Sequence, residues 1–388
     1  MKKKVYLDYA ATTPVDPQVV KVMLSYFSKD FGNTMSPHGF GQKANQALEK
    51  SREIIAGLIN ANPEEIFFTS SATESNNLAL KGVAFASKHR KKNHLIVSPI
   101  EHDCVLESAK WLQKQGFEVS FLPVDKYGLI KIEELRKAIK NNTVLVSVIH
   151  GSNEIGTIQD IFTVGKLCRQ KNIYFHTDAS QSLGKVPIDV KKMNIDMLTA
   201  SSHKIYGPKG AALLYIRKGV IIEPILHGGG HENNLRSSTS NVPAIVGFAK
   251  ACQILKKEGE KENKRLTGLR DLLIEKILRT IKGTRLNGHP TERLSNNVNI
   301  SFAGVEGESL LLELDFYGIA VSTGSACSSK TLQPSHVLTA IGLKPQEAHG
   351  SLRISLGRFT KEEDVNFFVK ILIKTVVKLR KISPFTYG

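Results

Sequence analysis

Short apolar runs recur along the first two-thirds of the chain, separated by longer segments of mixed polarity. The runs lie at 65–69, 94–98, 118–122, 143–149, 173–178, 197–201 and 211–216. They are mostly continuous stretches of Val, Ile, Leu and Phe without polar alternation, which is typical of strands buried on both faces. Intervening segments such as 132–140 and 161–170 have the apolar spacing of amphipathic helices. The pattern therefore predicts an α/β fold whose large domain contains a mostly parallel, seven-stranded sheet.

The pattern changes in the last third of the chain. A long charged helix is predicted at 243–282, and the apolar spacing at 361–379 indicates a second helix that packs against a core. Three strands between them are predicted to form a smaller sheet: 297–302, 319–322 and 352–356. We therefore expect a large α/β domain at 15–260 and a small α+β domain composed of 1–14 and 261–388.

The composition is that of an ordinary globular protein. Of the 388 residues, 41% are hydrophobic and 23% are charged, which excludes a mostly disordered chain. No stretch approaches the ~20 apolar residues that a membrane-spanning helix needs. The lysines at 2–4 are followed almost at once by Asp8, so the apolar core of a secretion signal is missing. We expect a cytoplasmic protein without a membrane partner.

The chain is strongly basic, with 53 Lys and Arg against 36 Asp and Glu and a net charge of +17. Such a charge is compatible with nucleic acid, anionic substrates or an acidic protein partner. The densest basic segments are 88–92 and 256–265, and the second is interleaved with glutamates as on a solvated helix. Because no aromatic residues are interleaved for base stacking, we expect no direct nucleic-acid binding. A basic RNA-binding protein remains the non-enzymatic alternative.

Polar residues stand at the carboxyl ends of four predicted strands, which is where open α/β sheets bind ligands. They are Glu101-His102-Asp103, His150-Gly151-Ser152-Asn153-Glu154, His176-Thr177-Asp178 and Ser201-Ser202-His203-Lys204. Asp178 ends a strand that should be buried, and a buried carboxylate needs a cationic or hydrogen-bonding partner. Lys204 would also be costly to bury without a role. These strand ends therefore predict a functional site.

Two kinds of site are compatible with these residues. One is a metal site formed by His150, His176, Asp178 and His203. The other is a pyridoxal phosphate site, which needs a lysine for the Schiff base, an aspartate at the pyridinium nitrogen and a phosphate cradle. Lys204 and Asp178 meet the first two needs, and the Ser/Thr-rich loop 69–76 before a helix meets the third. The metal hypothesis assigns no role to Lys204 or to the loop 69–76.

The four cysteines form no C-x-x-C pair, which argues against a zinc ribbon or a thioredoxin-like site. Cys168 and Cys252 fall on apolar helical stripes and are predicted to lie in the core. Cys104 lies close to His102 and is ambiguous. Cys327 lies in a run of small residues, 322–329, where a thiol is accessible and a nearby cation would favour its thiolate.

Taken together, these motifs resemble the cysteine desulfurases of the NifS/IscS-like group, within the class V, fold-type I enzymes that use pyridoxal phosphate. The matching segments extend almost from end to end. They are 6–14, 69–76, 101–102, 153–156, 176–181, 201–210, 227–232, 324–328 and 351–358. The resemblance implies the fold-type I architecture, with the cofactor in the large domain and the Cys327 loop in the small one.

The resemblance implies chemical roles for four residues. Lys204 would carry the cofactor covalently and then move the substrate Cα proton, and Asp178 would pair with the pyridinium nitrogen. His102 would stack on the cofactor ring and transfer protons. Cys327 would attack the sulfur of the substrate and hold it as a persulfide. The resemblance implies no resident metal, although Cys327 would transiently ligate a cluster on a scaffold partner.

Further residues are implied to hold the cofactor and the substrate. Gln181 and Asn153 would form hydrogen bonds near the ring hydroxyl. Arg353 would clamp the substrate carboxylate, with Asn153 as a second substrate contact. The phosphate and adjoining cofactor atoms would be held by Ala72, Thr73, Ser201, His203 and, from the neighbouring subunit of a homodimer, Thr239.

The implied activity is conversion of L-cysteine to L-alanine, with the sulfur passed to acceptor proteins of iron–sulfur cluster assembly or tRNA thiolation. The alternatives are a selenocysteine lyase, another class V lyase or aminotransferase, and a metal hydrolase that uses the strand-end histidines. The sequence departs from the family at Ser238, which stands where relatives have Gly. Glycine tolerates a left-handed backbone conformation better than serine, so the backbone angle at Ser238 decides whether this replacement causes strain.

Overall fold

The computed structural model describes residues 3–88, 92–324 and 334–383. Its helices are α1 (Pro17–Met23), α2 (Ser25–Ser28), α3 (Gly39–Leu58), α4 (Ala72–Asn77), α5 (Val83–Ser87), α6 (Asp103–Lys114), α7 (Ile132–Ala138), α8 (Ile161–Gln170), α9 (Val242–Thr280), α10 (Gly307–Phe316), α11 (His336–Ala340), α12 (Pro345–His349) and α13 (Glu362–Ile382). Its strands are β1 (Val5–Tyr6), β2 (Ile66–Thr69), β3 (His94–Val97), β4 (Glu118–Phe121), β5 (Thr143–Ser147), β6 (Tyr174–Asp178), β7 (Met197–Ser201), β8 (Ala212–Ile216), β9 (Thr284–Leu286), β10 (Asn297–Phe302), β11 (Ile319–Ala320) and β12 (Ser351–Ser355).

The large sheet has seven strands in the order β2-β8-β7-β6-β5-β3-β4. The five strands from β7 to β4 in this order run parallel, and β8 is antiparallel to both of its neighbours. Every residue of β3, β5, β7 and β8 is buried, which agrees with the continuous apolar runs in the sequence. The predicted α/β fold with a mostly parallel, seven-stranded sheet is confirmed.

The smaller sheet differs from the prediction in its strands. It has the order β12-β10-β9 and is antiparallel. The predicted strand at 319–322 joins this sheet only at Ser322, which forms an antiparallel bridge with Arg353 of β12, because β11 itself pairs in parallel with β1 in a separate two-stranded sheet. β9 was not predicted, because its three residues, none of them fully buried, give no apolar run. β1 was not predicted either, because its two residues are too few to show any periodicity.

Two large hydrophobic clusters accompany these sheets. One includes β2, β5, β6 and β8 side chains, and the other includes side chains from β10, β12 and α13. Helix α9 joins them, because its first half contributes Phe248 and Cys252 to one cluster and its second half contributes Leu273 and Ile277 to the other. The helix crosses residue 260 without a break, so the domain boundary there stays a prediction. Cys168 and Cys252 are buried, as predicted.

Within residues 3–88, 92–324 and 334–383, no helix has both the length and the apolar composition required to span a lipid bilayer.

Candidate active site at the strand ends

A cavity of about 320 Å³ lies beside the carboxyl ends of β6 and β7 and the loops that follow β3 and β5. Parallel strands bring their carboxyl ends to the same edge of a sheet, so residues far apart in sequence meet there. Most of the residues singled out in the sequence line this cavity. They are Ala72, Thr73, His102, Asn153, Asp178, Gln181, His203, Lys204 and Arg353.

Lys204 reaches the cavity from the short turn Ser202–Lys204 that directly follows β7. Its Nζ donates hydrogen bonds to the carbonyl oxygens of Ala10 and Ala11, at 2.6 and 2.7 Å. The carbonyl of Ala10 also accepts a hydrogen bond of 2.8 Å from Gln181 Nε2. The N-terminal segment thus fixes the amine and the amide of two predicted cofactor-binding residues relative to each other.

Asp178 is the last residue of β6, and only 4% of its surface is exposed. Its Oδ2 accepts a hydrogen bond of 2.7 Å from Asn76 Nδ2, and its Oδ1 accepts one of 2.8 Å from the backbone N–H of Ser180. Both carboxylate oxygens therefore have donors, which stabilises the anion in a buried position. This geometry presents a fixed negative charge to the cavity.

The Ser/Thr-rich loop leads into α4 at one wall of the cavity. Ser71 caps this helix, since its hydroxyl accepts a hydrogen bond of 3.2 Å from the backbone N–H of Glu74. Ala72 and Thr73 follow in the first turn and line the cavity. Backbone N–H groups and the helix dipole at this end favour a negatively charged group such as a phosphate.

His102 and Cys104 lie together at the start of α6. The Nδ1 of His102 accepts a hydrogen bond of 3.2 Å from the backbone N–H of Cys104 and so caps the helix. The Cys104 sulfur accepts a bond of 3.1 Å from Asn76 Nδ2. Burial, with a smaller effect from the charge of Asp178, raises the pKa of Cys104 to about 12. This thiol is therefore protonated at neutral pH and is a poor nucleophile.

Arg353 and Asn153 bring two unpartnered polar atoms to the same wall. The guanidinium of Arg353 donates to Asp8 Oδ1 at 3.1 Å and to the carbonyl of Asn153 at 3.2 Å. Among the described residues, however, neither its buried Nε nor the buried Oδ1 of Asn153 has a hydrogen-bond partner. Because buried polar groups in proteins nearly always have partners, these two atoms indicate a polar ligand at this position.

Two acidic residues of the cavity wall, Glu101 and Glu154, were among the strand-end residues singled out in the sequence but were given no individual role. Burial raises the pKa of Glu101 well above its usual value and raises that of Glu154 to about 7. Glu101 Oε1 accepts a hydrogen bond of 2.5 Å from the N–H of Ile149, whereas its Oε2 has no partner among the described residues. Both residues lie next to predicted site residues, His102 and Asn153, and this position in the sequence was the evidence from which a role for them could have been predicted.

The strand-end histidines do not support the metal hypothesis. Burial lowers the pKa values of His150, His176 and His203 to about 4, so each ring is neutral at pH 7, which is also the form that binds metals. The geometry, however, is not that of a metal site. Both ring nitrogens of His176 already contact hydroxyls, with Nδ1 at 2.8 Å from Ser147 and Nε2 at 3.2 Å from Thr199. In the part of the chain that the structure describes, no group of three or more His, Cys, Asp or Glu is arranged to hold a metal ion.

Of the predicted residues that the structure describes, Ser201 and Thr239 do not line the cavity. Ser201 is buried at the end of β7, and Thr239 is exposed in the segment between β8 and α9. Ser238 beside it has no left-handed backbone angle, so the replacement of the family's Gly causes no strain of that kind. Cys327 lies outside the described residues, although Gly324, three positions before it, lines the cavity.

Comparisons with known proteins show which family the chain resembles. The model of the family "Aminotransferase class-V" matches residues 5–368. Cysteine desulfurase IscS of Methanosarcina thermophila is 52% identical to the chain over 99% of its length and 95% of the relative's. A solved NifS-like protein has a TM-score of 0.91 at 40% identity, covering 97% of this chain and all of that one. A structure of SspA in complex with cysteine has a TM-score of 0.82, also at 40% identity, covering 92% of this chain and all of that one.

Proposed function

Because the chain belongs to the cysteine desulfurases of the class-V aminotransferase family, we propose that it converts L-cysteine to L-alanine with pyridoxal phosphate as cofactor. One observation carries the proposal: the Lys204 amine, the Asp178 carboxylate and the Arg353 guanidinium face a single cavity. An amine, a buried anion and a carboxylate-binding cation are the three groups that this reaction on an amino acid requires.

The residues around the cavity suit pyridoxal phosphate, on which this family generally depends. Lys204 would hold the cofactor covalently, and Asp178 would keep its ring nitrogen protonated. The first turn of α4, with Ala72 and Thr73, would hold the phosphate, and the unpartnered Oδ1 of Asn153 would accept a hydrogen bond from the bound cofactor or substrate. When bound, pyridoxal phosphate supplies an electron sink for the electrons released at the substrate Cα.

Arg353 is proposed to bind the substrate carboxylate. Its buried Nε has no partner in the part of the chain that the structure describes and could donate to an incoming oxygen, while Asp8 and the carbonyl of Asn153 hold the rest of the guanidinium in place. The cavity of about 320 Å³ is at the small end of the range for ligand sites, which suits a cofactor and a small amino acid. His102 and Lys204 would move protons at the substrate.

The sulfur is proposed to leave on Cys327. The Cys327 thiolate attacks the substrate sulfur, an S–S bond forms, and the C–S bond of the substrate breaks. The electron pair of the C–S bond stays on Cβ, which takes up a proton and becomes the methyl group of alanine. Cys327 keeps the sulfur as a persulfide, so carbon is reduced, sulfur is oxidised, and no external oxidant is needed.

The exposed position of Thr239, outside the cavity of its own chain, favours a homodimer in which it reaches the site of the neighbouring subunit. We further propose that the persulfide passes to acceptor proteins, for iron–sulfur cluster assembly or tRNA thiolation, in the cytoplasm.

The test is to incubate the purified protein with L-cysteine and measure alanine together with the mass of the peptide that contains Cys327. The proposal expects one alanine per cysteine and one added sulfur on that peptide, removable by a reductant. Bound cofactor should be identified by its absorbance and by borohydride attachment at Lys204. Alanine formation without sulfur on Cys327 would indicate a lyase instead, and bound metal without cofactor would indicate a hydrolase.

A further inference from the structure

Glu101 places a second carboxyl group near Asp178 in the cavity wall. The residue lines the cavity and is 0% exposed. Its Oε1 accepts the hydrogen bond from the N–H of Ile149, and its Oε2 has no partner among the described residues. The hydroxyl of Ser180, which also lines the cavity, is likewise buried without a partner there. Because buried polar atoms nearly always have partners, both atoms indicate a polar group of a ligand, or a bound water, next to Asp178.

The two neighbouring carboxyl groups differ in which one can hold the negative charge. Both oxygens of Asp178 accept hydrogen bonds, whereas in Glu101 only Oε1 does so among the described residues. Burial, with a smaller effect from the charge of Asp178, raises the pKa of Glu101 well above its usual range. Glu101 is therefore neutral at neutral pH, and Asp178 carries the single negative charge of the pair. Since Oε1 accepts from Ile149, the proton of Glu101 is on Oε2.

We propose that Glu101 is a cofactor-binding residue, whose Oε2–H donates a hydrogen bond to the phenolic oxygen of pyridoxal phosphate. The inference rests on the proposed function, in which Asp178 binds the ring nitrogen of this cofactor. The phenolic oxygen is the acceptor atom of the cofactor nearest to that nitrogen, so a donor close to Asp178 is matched to it. Glu101 thus supplies a donor, whereas Oδ1 of Asn153 is an acceptor.

A neutral carboxyl group suits this position better than a charged one. A second carboxylate near Asp178 would repel its charge and would also repel negative charge on the phenolic oxygen. A protonated carboxyl group instead stabilises that oxygen through a hydrogen bond in a site from which bulk water is largely excluded, a use of buried acids that other enzymes share. Glu101 would therefore orient the cofactor ring while the single charge stays on Asp178.

Cofactor titration of the full-length apoprotein tests the contact. Two ligands are compared: pyridoxal phosphate and its 3-deoxy analogue, which lacks the phenolic oxygen. Glu101→Met has a side chain of similar size without a donor, so it should bind pyridoxal phosphate about tenfold more weakly than the wild type, as expected for one lost buried hydrogen bond. The same variant should bind the 3-deoxy analogue within about twofold of the wild type, because the acceptor is already absent.

Matched variants separate a cofactor contact from general damage to the fold. Glu101→Gln keeps a carbonyl for the N–H of Ile149 and an N–H₂ donor, so it should bind both ligands within about twofold of the wild type. Glu65 is another buried carboxyl residue, 5% exposed, and accepts from the N–H groups of Asn62 and Lys218 at 3.0 and 2.8 Å. It does not line the cavity, so Glu65→Met should leave the affinity for both ligands unchanged.

Infrared spectroscopy gives a second measurement that does not need the Met variant. The difference spectrum between the wild type and Glu101→Gln should contain one band of a protonated carboxyl group. This band should move to lower frequency when pyridoxal phosphate binds, because the O–H then donates a hydrogen bond, and it should not move with the 3-deoxy analogue.

Three results would overturn the inference while the wild type still binds the cofactor at Lys204. In the first, Glu101→Met weakens both ligands equally or neither of them, as expected if Oε2 binds only a water. In the second, Glu101→Gln binds pyridoxal phosphate as weakly as Glu101→Met, which would mean that Glu101 acts as an anion. In the third, the carboxyl band is missing or does not respond to pyridoxal phosphate. If the wild type binds no pyridoxal phosphate, both the proposed function and the inference are wrong.

Discussion

Replacing Asp178 by Asn tests the buried charge at the centre of the proposed site. Both carboxylate oxygens accept hydrogen bonds, from Asn76 Nδ2 at 2.7 Å and from the N–H of Ser180 at 2.8 Å. The amide in Asp178→Asn has one oxygen only, so its NH₂ group must face one of these two donors. The variant should therefore lose about 1–3 kcal/mol of unfolding free energy, the cost of an unsatisfied buried donor.

The effect on activity should be larger than the effect on stability. A neutral amide no longer stabilises a protonated cofactor ring, and breaking a buried ion pair on one side costs about 3–5 kcal/mol. If that loss falls on the transition state, alanine formation should slow by about 10²–10³-fold or more. The assays are alanine release from cysteine, cofactor content by absorbance, and denaturant unfolding.

A charge swap separates the two effects. In the double variant Asn76→Asp with Asp178→Asn, the amide introduced at position 178 donates to the carboxylate introduced at position 76 and still accepts from the N–H of Ser180. Unfolding free energy should recover, but activity should stay low, because the negative charge has moved away from position 178. Wild-type alanine production by the single variant, or activity restored by the swap, would refute the assignment of Asp178.

Three further predictions address other residues. Lys204→Ala should abolish covalent attachment of the cofactor, and borohydride reduction at a different lysine would contradict this. Cys327→Ser should still bind cysteine, as seen by absorbance, but should form no alanine, because a hydroxyl is a much weaker nucleophile toward sulfur; Cys168→Ala and Cys252→Ala are the matched controls that keep activity. Burial lowers the pKa of His150 to about 4 in the folded protein. As the pH falls from 6.5, this histidine therefore takes up a proton in the unfolded chain while it stays neutral in the folded protein. The unfolding free energy should therefore decrease between about pH 6.5 and 4, by up to about 3 kcal/mol from this residue, and His150→Gln should lack that part of the decrease in denaturant titrations.

The large sheet could be predicted from sequence because most of its strands, such as β3, β5, β7 and β8, are buried on both faces and lie in mainly apolar runs. β10 was predicted with its observed limits, Asn297–Phe302, although its sequence alternates polar and apolar residues and all of them are buried. By contrast, β1 and β11 have two residues each and form only by pairing with each other across more than three hundred positions. No local pattern encodes such a pairing, so the sequence assigned β11 to the wrong sheet.

The residues of the candidate site could likewise be predicted only in part. Asp178 and Lys204 could be identified because their residue types are costly to bury and both end apolar runs. The partners that fix them could not be identified: Asn76 and Ser180 are ordinary polar residues, and Ala10 and Ala11 act through backbone carbonyls that carry no side-chain signal.

The N-terminal segment explains how these separate parts depend on one another. β1 pairs with β11 at the hydrophobic cluster that contains side chains of β10, β12 and α13. Just after β1, the Asp8 carboxylate accepts a hydrogen bond of 3.1 Å from the Arg353 guanidinium. Two residues later, the Ala10 and Ala11 carbonyls accept from Lys204 at the edge of the large sheet. A stretch of seven residues, 5–11, therefore links the cation proposed for the substrate carboxylate to the amine proposed for the cofactor. Because the same backbone holds both groups, a change in β1 pairing would move them relative to each other, and the distance between substrate carboxylate and reacting carbon would change with it.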